Sequence, residues 1–167
     1  KKETFKKNNS ELEKDYINIK LDTLVMGGPG TGKTYHCIRT IQNHVDSFEN
    51  ILYLCYNRKL AGDIRLQFEG FENVEIFNIH QFDKNLNPKH VYRDKYELEN
   101  LELLEEIKKK YDLIIIDEAQ DFKFNWIELI LDKFLIDKRS VLLAADETQN
   151  IFEGDFIEEY YRRLGEG

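Results

Sequence analysis

Two short segments of this chain are wholly apolar, and they limit the folds available to it more than any other feature. They are Leu113–Ile116, which lies between Asp112 and Asp117, and residues 141–145, which read Val-Leu-Leu-Ala-Ala. A strand that is apolar on both faces must be covered on both, as in a parallel sheet with helices packed on each side. The sequence therefore predicts an α/β fold with a mostly parallel sheet.

Further predicted strands and helices alternate along the chain, which is the order of elements in such a sheet. Apolar runs predict three more strands, at 21–26, 51–55 and 74–77. Apolar residues at helical spacing predict helices at 33–48, 57–68, 97–110 and 124–135. Segment 78–96 contains Pro88 and several Asn residues and is predicted to be irregular. We therefore expect a five-stranded sheet with helices on both faces.

The 167 residues suit a single domain. We assign residues 21–167 to it and residues 1–20 to an N-terminal extension. In that extension Ser10 and Glu13 have the spacing of a capping box, which predicts a short helix.

Charge, hydropathy and cysteine content exclude several classes of protein. The chain has 24 Lys and Arg against 32 Asp and Glu, and a net charge of −8 excludes a protein that coats nucleic acid through a basic surface. No apolar run approaches the ~18 residues that span a membrane, so no membrane contact is expected. Cys37 and Cys55 lack the spacing of a metal site and suit a reducing compartment, so we expect a cytoplasmic protein.

A glycine-rich segment at 27–34 reads Gly-Gly-Pro-Gly-Thr-Gly-Lys-Thr and matches the pattern G-x-x-x-x-G-K-[ST] in full. It follows a predicted strand and opens a predicted helix, so successive backbone N–H groups can surround phosphate oxygens. The lysine can reach the β and γ phosphates, and the last threonine can place its hydroxyl on Mg²⁺. The predicted nucleotide-binding residues are Gly28, Pro29, Gly30, Thr31, Gly32, Lys33 and Thr34. The simpler alternative is a glycine-rich turn that matches by chance.

Two acidic residues, Asp117 and Glu118, follow the apolar strand Leu113–Ile116. Ligands of open α/β sheets lie beyond the carboxyl ends of the strands, so both carboxylates are expected to face the phosphates. One acid can hold Mg²⁺ through its water shell, and the other can polarise the water that attacks the γ phosphate. The alternative is a solvated acidic turn after a strand.

Three further stretches accompany these two in sequence order. They read Cys-Tyr-Asn-Arg-Lys-Leu-Ala at 55–61, Phe-Asn-Ile-His-Gln-Phe at 77–82 and Ala-Asp-Glu-Thr-Gln-Asn-Ile-Phe at 145–152. They resemble motifs Ia, Ib and III of the UvrD/Rep-type superfamily 1 helicases. Residues 27–34 resemble motif I of that family, and Asp-Glu-Ala-Gln-Asp at 117–121 resembles its motif II. Motif I alone indicates a P-loop NTPase, whereas motifs II and III in this order point to the superfamily more sharply.

The resemblance implies a first RecA-like domain that binds ATP and Mg²⁺ and hydrolyses the ATP. In it Lys33 and Thr34 would contact the nucleotide and the cation, and Asp117 would be a Mg²⁺ ligand. Glu118 would be the hydrolytic base. Gln149 would sense the γ phosphate, with Gln120 beside it in the nucleotide site.

The resemblance also implies contacts with single-stranded DNA. Tyr56, with Asn57 and Arg58 beside it, takes the place of the motif Ia aromatic that meets the strand, and His80 takes the motif Ib position. Stacking on an aromatic ring is well suited to strand binding without sequence preference. Alternatively, Tyr56 is an ordinary aromatic at a strand end and His80 an ordinary residue of a helix start.

Motifs IV to VI of the family belong to a second RecA-like domain, which supplies an arginine to the transition state. We find none of these motifs here and expect that domain, from the same parent chain, to be a partner. Alone, this chain should then hydrolyse ATP feebly, bind DNA weakly and unwind nothing. The alternative function is a free-standing nucleotide switch without unwinding activity. A P-loop kinase is a weaker third interpretation.

Overall fold

The computed structural model describes residues 3–6, 23–27, 32–86, 109–136 and 140–146. Within these ranges six strands form one sheet: β1 (Glu3–Lys6), β2 (Thr23–Gly27), β3 (Ile51–Cys55), β4 (Val74–Asn78), β5 (Leu113–Ile116) and β6 (Val141–Asp146). Their order across the sheet is β1-β2-β6-β5-β3-β4, and every neighbouring pair is parallel. All of these strands therefore end at the same edge.

The described residues also form four α-helices: α1 (Lys33–His44), α2 (Arg58–Gln67), α3 (Ile79–Leu86) and α4 (Phe124–Phe134). One turn of 3₁₀ helix, Ala119–Asp121, follows β5. No helix in the described part of the chain is long and apolar enough to cross a membrane.

The core consists of two layers, one on each face of the sheet. Successive side chains of a strand point to opposite faces. Strand β3 accordingly contributes Leu52 and Leu54 to a layer shared with α3 and α4, and Ile51, Tyr53 and Cys55 to a layer shared with α1 and α2. Every residue of β3, β5 and β6 is buried. The predicted α/β fold, with a parallel sheet and helices on both faces, is confirmed.

The predicted count of five strands is too low, because β1 lies in the segment that was assigned to an N-terminal extension. Its four residues, Glu-Thr-Phe-Lys, are mostly polar, and it pairs with β2 at the outer side of the described sheet. Short, charged strands are common at sheet edges and carry little apolar signal. The helix predicted from Ser10 and Glu13 lies outside the described residues.

Helix α3 corrects the prediction that segment 78–96 is irregular. Asn78 and Gln81 cap its start reciprocally: the Asn78 side chain accepts a hydrogen bond from the Gln81 N–H at 2.8 Å, and the Gln81 side chain accepts one from the Asn78 N–H at 3.0 Å. This is a capping box made of amides. Ile79 and Phe82 fix the helix by burial in the core. Residues 87–96 lie outside the described part of the chain.

Most of the predicted helix 97–110 also lies outside the described residues. Its last two positions, Lys109 and Lys110, are described and are not helical. Lys109 instead forms a 2.6 Å ion pair with Glu75 of β4 and lies over the ring of Tyr111, 5.5 Å from its centroid. These contacts fix the approach to β5.

Substituting Leu131 with Ala should lower the free energy of unfolding by about 2–5 kcal/mol, because it leaves a cavity in the layer between α4 and the sheet. Leu131 is 2% exposed, whereas Leu66 of α2 is 70% exposed. The matched variant Leu66→Ala should change stability by about 0.5 kcal/mol or less. Urea unfolding of both variants tests this, and equal losses would contradict the assignment of α4 to the core.

Candidate functional site

The candidate residues follow the carboxyl ends of neighbouring parallel strands. In the register of the sheet Gly27 of β2 pairs with Asp146 of β6, and Leu143 of β6 pairs with Ile116 of β5. The glycine-rich segment and Asp117 therefore leave the same edge of the sheet, with β6 between their strands. This edge is where ligands of open α/β sheets bind.

The glycine-rich segment enters α1 through Gly32, which has φ 87° and ψ 23°. This left-handed conformation is strained for residues that carry a Cβ atom. Gly32 is the N-cap of α1, and no side chain caps that end of the helix by a hydrogen bond. Gly28, Pro29, Gly30 and Thr31 lie outside the described residues, so the binding of phosphate oxygens by their backbone N–H groups stays a prediction.

Asp117 is 2% exposed and its carboxylate is held by three donors. Oδ2 accepts hydrogen bonds from the Thr34 hydroxyl at 2.8 Å and from the Tyr53 hydroxyl at 2.7 Å. Oδ1 accepts one from the backbone N–H of Glu118 at 2.9 Å. Burial raises the pKa of this carboxyl above its ordinary value, and the hydrogen bonds from Tyr53 and Thr34 oppose that shift. The three donors match an ionised carboxylate, which accepts and does not donate.

Thr34 and Asp117 fit a magnesium ion that arrives with a nucleotide. Their oxygen atoms are 2.8 Å apart, so a cation bound by the hydroxyl would lie beside the carboxylate, which could hold it through its water shell. Hydroxyl and carboxylate oxygens are ligands that Mg²⁺ accepts, and it commonly takes only one or two from the protein when phosphates supply others. The sequence places these residues 83 positions apart, and the structure brings them together.

Glu118 has a strained backbone, with φ 54° and ψ 39°. Among the described residues it alone combines a positive φ with a side chain. Its Oε1 atom accepts hydrogen bonds from the backbone N–H groups of Tyr56, at 3.2 Å, and Asn57, at 3.0 Å. Partial burial raises the pKa of its carboxyl above the ordinary value, although the hydrogen bond from Asn57 opposes the shift. Such strain persists only where the surroundings enforce it, and it is common at active sites.

The side chain of Gln120 connects the ends of two strands. Its Oε1 accepts a hydrogen bond from the backbone N–H of Asp146 at 3.0 Å. Burial raises the pKa of Asp121, and the nearby charge of Asp146 adds to the shift. Gln149, the predicted sensor of the γ phosphate, lies outside the described residues. The segment after β5 thus touches the end of β6, where motif III is predicted to begin.

A protein-family model described as an AAA domain matches residues 16–155, which is most of the chain. The chain belongs to the AAA domain family. No curated protein matches it. Membership of this family identifies a nucleotide-binding P-loop domain and indicates ATPase activity. The match includes the glycine-rich segment, Asp117 and Glu118.

The AAA domain also brings together two of the four residues predicted to contact nucleic acid. The rings of Tyr56 and His80 meet edge to face with centroids 5.5 Å apart, and Phe122 lies 6.3 Å from Tyr56. Tyr56 is 39% exposed. Burial lowers the pKa of His80, and the charge of Arg58 lowers it further. His80 lies in the first turn of α3, as its alternative interpretation also requires.

Asn57, another predicted nucleic-acid contact, has a structural role in this AAA domain. It is the N-cap of α2, and its Oδ1 accepts a hydrogen bond from the Leu60 N–H at 3.0 Å. Its carbonyl accepts one from the Cys55 thiol at 3.3 Å. Arg58 is the first residue of α2. The loop that is predicted to contact single-stranded DNA is therefore fixed by the N-cap of α2.

Tyr53, the hydroxyl donor to Asp117, is a site residue that the sequence motifs do not indicate. Its signal in the sequence is a single phenol in an otherwise apolar strand, Ile-Leu-Tyr-Leu-Cys. Burial raises the pKa of the phenol well above its ordinary value, so it stays protonated and can donate. Cys37 and Cys55 lie in the same layer, and burial raises the pKa of the Cys55 thiol to about 12. Both cysteines are free and buried.

Proposed function

We propose that this chain is the ATP-binding and ATP-hydrolysing domain of a superfamily 1 DNA helicase of the UvrD/Rep type. Joined to a second RecA-like domain, it would couple hydrolysis of Mg-ATP to translocation along a single strand. One observation carries the proposal: the carboxylate of Glu118, the candidate base, accepts hydrogen bonds from the backbone at Tyr56 and Asn57. The candidate hydrolytic group thus touches the loop that resembles a strand-binding motif.

The phosphate-binding half of the proposal depends on residues around the start of α1. Lys33 begins the helix, and its ammonium group would neutralise the β and γ phosphates. Thr34 and Asp117 would hold the magnesium ion, which supplies charge neutralisation on the phosphates. Mg²⁺ and ATP would therefore bind as one ligand.

Glu118 is suited to act as the base because it is only partly buried and its pKa is raised. A carboxylate with a higher pKa is a stronger base toward a water proton, as long as it is ionised at the working pH. Glu118 would orient the attacking water and accept its proton.

The proposed binding of single-stranded DNA depends on Tyr56. Its ring is partly exposed, and it is backed by the buried ring of Phe122 and the edge of His80. A supported, exposed ring of this kind can stack against a nucleobase. The net charge of −8 argues for weak binding, because the phosphate backbone is attracted mainly by Lys and Arg.

Full activity would need an arginine from the second RecA-like domain. Such a residue stabilises charge on the transferred phosphoryl group and contributes ~10³–10⁵ in rate. Hydrolysis by this domain alone would be slower by about that factor.

Lys33→Ala should weaken binding of a fluorescent ATP analogue with Mg²⁺ roughly 10- to 100-fold, because a hydrogen bond to a charged group is worth about 1.5–3 kcal/mol. Lys133→Ala is the matched control, since Lys133 lies on α4 and its ammonium group is 3.7 Å from Asp132. Fluorescence titration gives both dissociation constants. Equal affinity for wild type and Lys33→Ala would refute the nucleotide site.

Glu118→Gln should leave nucleotide binding intact and lower strand-stimulated ATP hydrolysis ~10²–10⁴-fold, because the amide cannot accept the water proton. The assay uses a chain that carries the second RecA-like domain. Glu72→Gln, an exposed acid in the turn before β4, is the matched control. Unchanged turnover would exclude Glu118 as the base. If the wild type binds nucleotide but single-stranded DNA does not stimulate its ATP hydrolysis, the alternative function, a nucleotide switch without unwinding activity, would be favoured.

Tyr56→Ala should weaken binding of labelled oligo(dT) about 5- to 150-fold, because stacking contributes ~1–3 kcal/mol per base. Phe71→Ala is the matched control: Phe71 is 45% exposed and precedes β4, at the opposite edge of the sheet. Fluorescence anisotropy at low salt measures both. Equal losses in the two variants would contradict a stacking site at Tyr56.

A further inference from the structure

Tyr53 places a hydroxyl where an apolar side chain would otherwise complete the core. It is 0% exposed and lies in the layer of apolar residues between the sheet, α1 and α2. A hydroxyl in such surroundings is costly unless it is hydrogen-bonded. Its bond to Asp117 Oδ2, at 2.7 Å, satisfies it. Phenylalanine would fill the same space without this requirement, so the hydroxyl calls for a functional account.

The orientation of the Asp117 carboxylate depends on its donors. The last torsion of an aspartate is broad and has no sharp staggered minimum, so hydrogen bonds decide the plane of the carboxylate. Here one oxygen accepts from Thr34 and Tyr53 and the other from the Glu118 backbone. Without Tyr53, Oδ2 would lose one of the two hydroxyl donors that the described residues provide.

Thr34 and Tyr53 differ in what a bound cation would do to them. In the proposed function the Thr34 oxygen becomes a ligand of the magnesium ion, whereas the Tyr53 hydroxyl contacts the Asp117 carboxylate from the core. Tyr53 belongs to β3, which is hydrogen-bonded to β4 and β5 and buried along its length. The backbone of Tyr53 is therefore held by both neighbouring strands, and its hydroxyl reaches Oδ2 from the core.

We propose that Tyr53 is a positioning residue for the magnesium ion that accompanies the nucleotide. Its hydroxyl fixes the plane of the Asp117 carboxylate from behind, so that the carboxylate meets the hydrated cation without reorienting. The inference deepens the proposed function and depends on its Mg-nucleotide site. Hydrogen-bonding partners of metal ligands commonly contribute 10- to 100-fold to metal affinity, and we assign a contribution of this size to Tyr53.

Tyr53→Phe tests the inference because it removes one hydroxyl and keeps the ring. The dissociation constant of a fluorescent ATP analogue is measured across a Mg²⁺ series and in EDTA. We expect the half-saturating Mg²⁺ concentration to rise about 10- to 100-fold. Affinity in EDTA should stay within about twofold of wild type, since Tyr53 acts on the cation and not on the phosphates.

Tyr111→Phe is the matched control. Tyr111 is also a buried phenol with a hydrogen bond to a carboxylate, that of Glu75, but it lies two residues before β5, away from the candidate site. Both variants lose a buried hydroxyl, so both should lower the melting temperature. Only Tyr53→Phe should change the requirement for Mg²⁺.

The outcomes separate the inference from the function on which it depends. A wild type with Mg²⁺-dependent binding and a Tyr53→Phe variant with unchanged half-saturation would overturn the inference alone and leave Tyr53 as a core residue. Equal weakening with Mg²⁺ and in EDTA would do the same, since it indicates general distortion. If the nucleotide affinity of the wild type does not depend on Mg²⁺ concentration, both the inference and the proposed cation site would be overturned.

Discussion

A carboxylate that is 2% exposed within an apolar sheet would cost several kcal/mol if its oxygens had no donors. Asp117 meets this requirement by drawing together three parts of the fold: Thr34 from α1, Tyr53 from β3 and the backbone of Glu118. Removing any donor leaves a buried charge less well satisfied. The start of α1 is thereby held against the end of β5, which is the arrangement that a phosphate-bound cation needs.

The order of the strands makes this meeting possible. Strand β6 lies between β2 and β5, so Thr34 and Asp117 meet across the end of one intervening strand. That strand is tied in turn to the segment after β5, because Gln120 accepts a hydrogen bond from the Asp146 N–H. If the residues after β5 moved, this hydrogen bond would move the end of β6, where motif III is predicted to begin.

The elements that the sequence predicts most accurately are the strands whose bounds depend on burial alone. Strands β3 and β5 have the predicted bounds: β5 is an apolar run between Asp112 and Asp117, and β3 is a mostly apolar run that begins after Asn50. Helix α3 does have a sequence signal, the Asn78-x-x-Gln81 capping box, but Pro88 and the Asn residues of segment 78–96 favoured an irregular interpretation. The Tyr53 contact joins residues 64 positions apart, and it follows only from the register that sets β3 beside β5. The left-handed backbone of Glu118 has no sequence signal at all.

Four of the six consecutive residues 117–122 contact different parts of the candidate site. Asp117 reaches α1, Glu118 reaches the loop before α2, Gln120 reaches β6, and Phe122 lies against Tyr56. The strain at Glu118 is compatible with this crowding, since one residue must turn the chain so that its neighbours point to different partners. In the proposed function, single-stranded DNA stacked on Tyr56 and a nucleotide phosphate beside Thr34 would both act on segment 117–122. Coupling between the two ligands then needs no long pathway, because a single turn of chain separates their contacts.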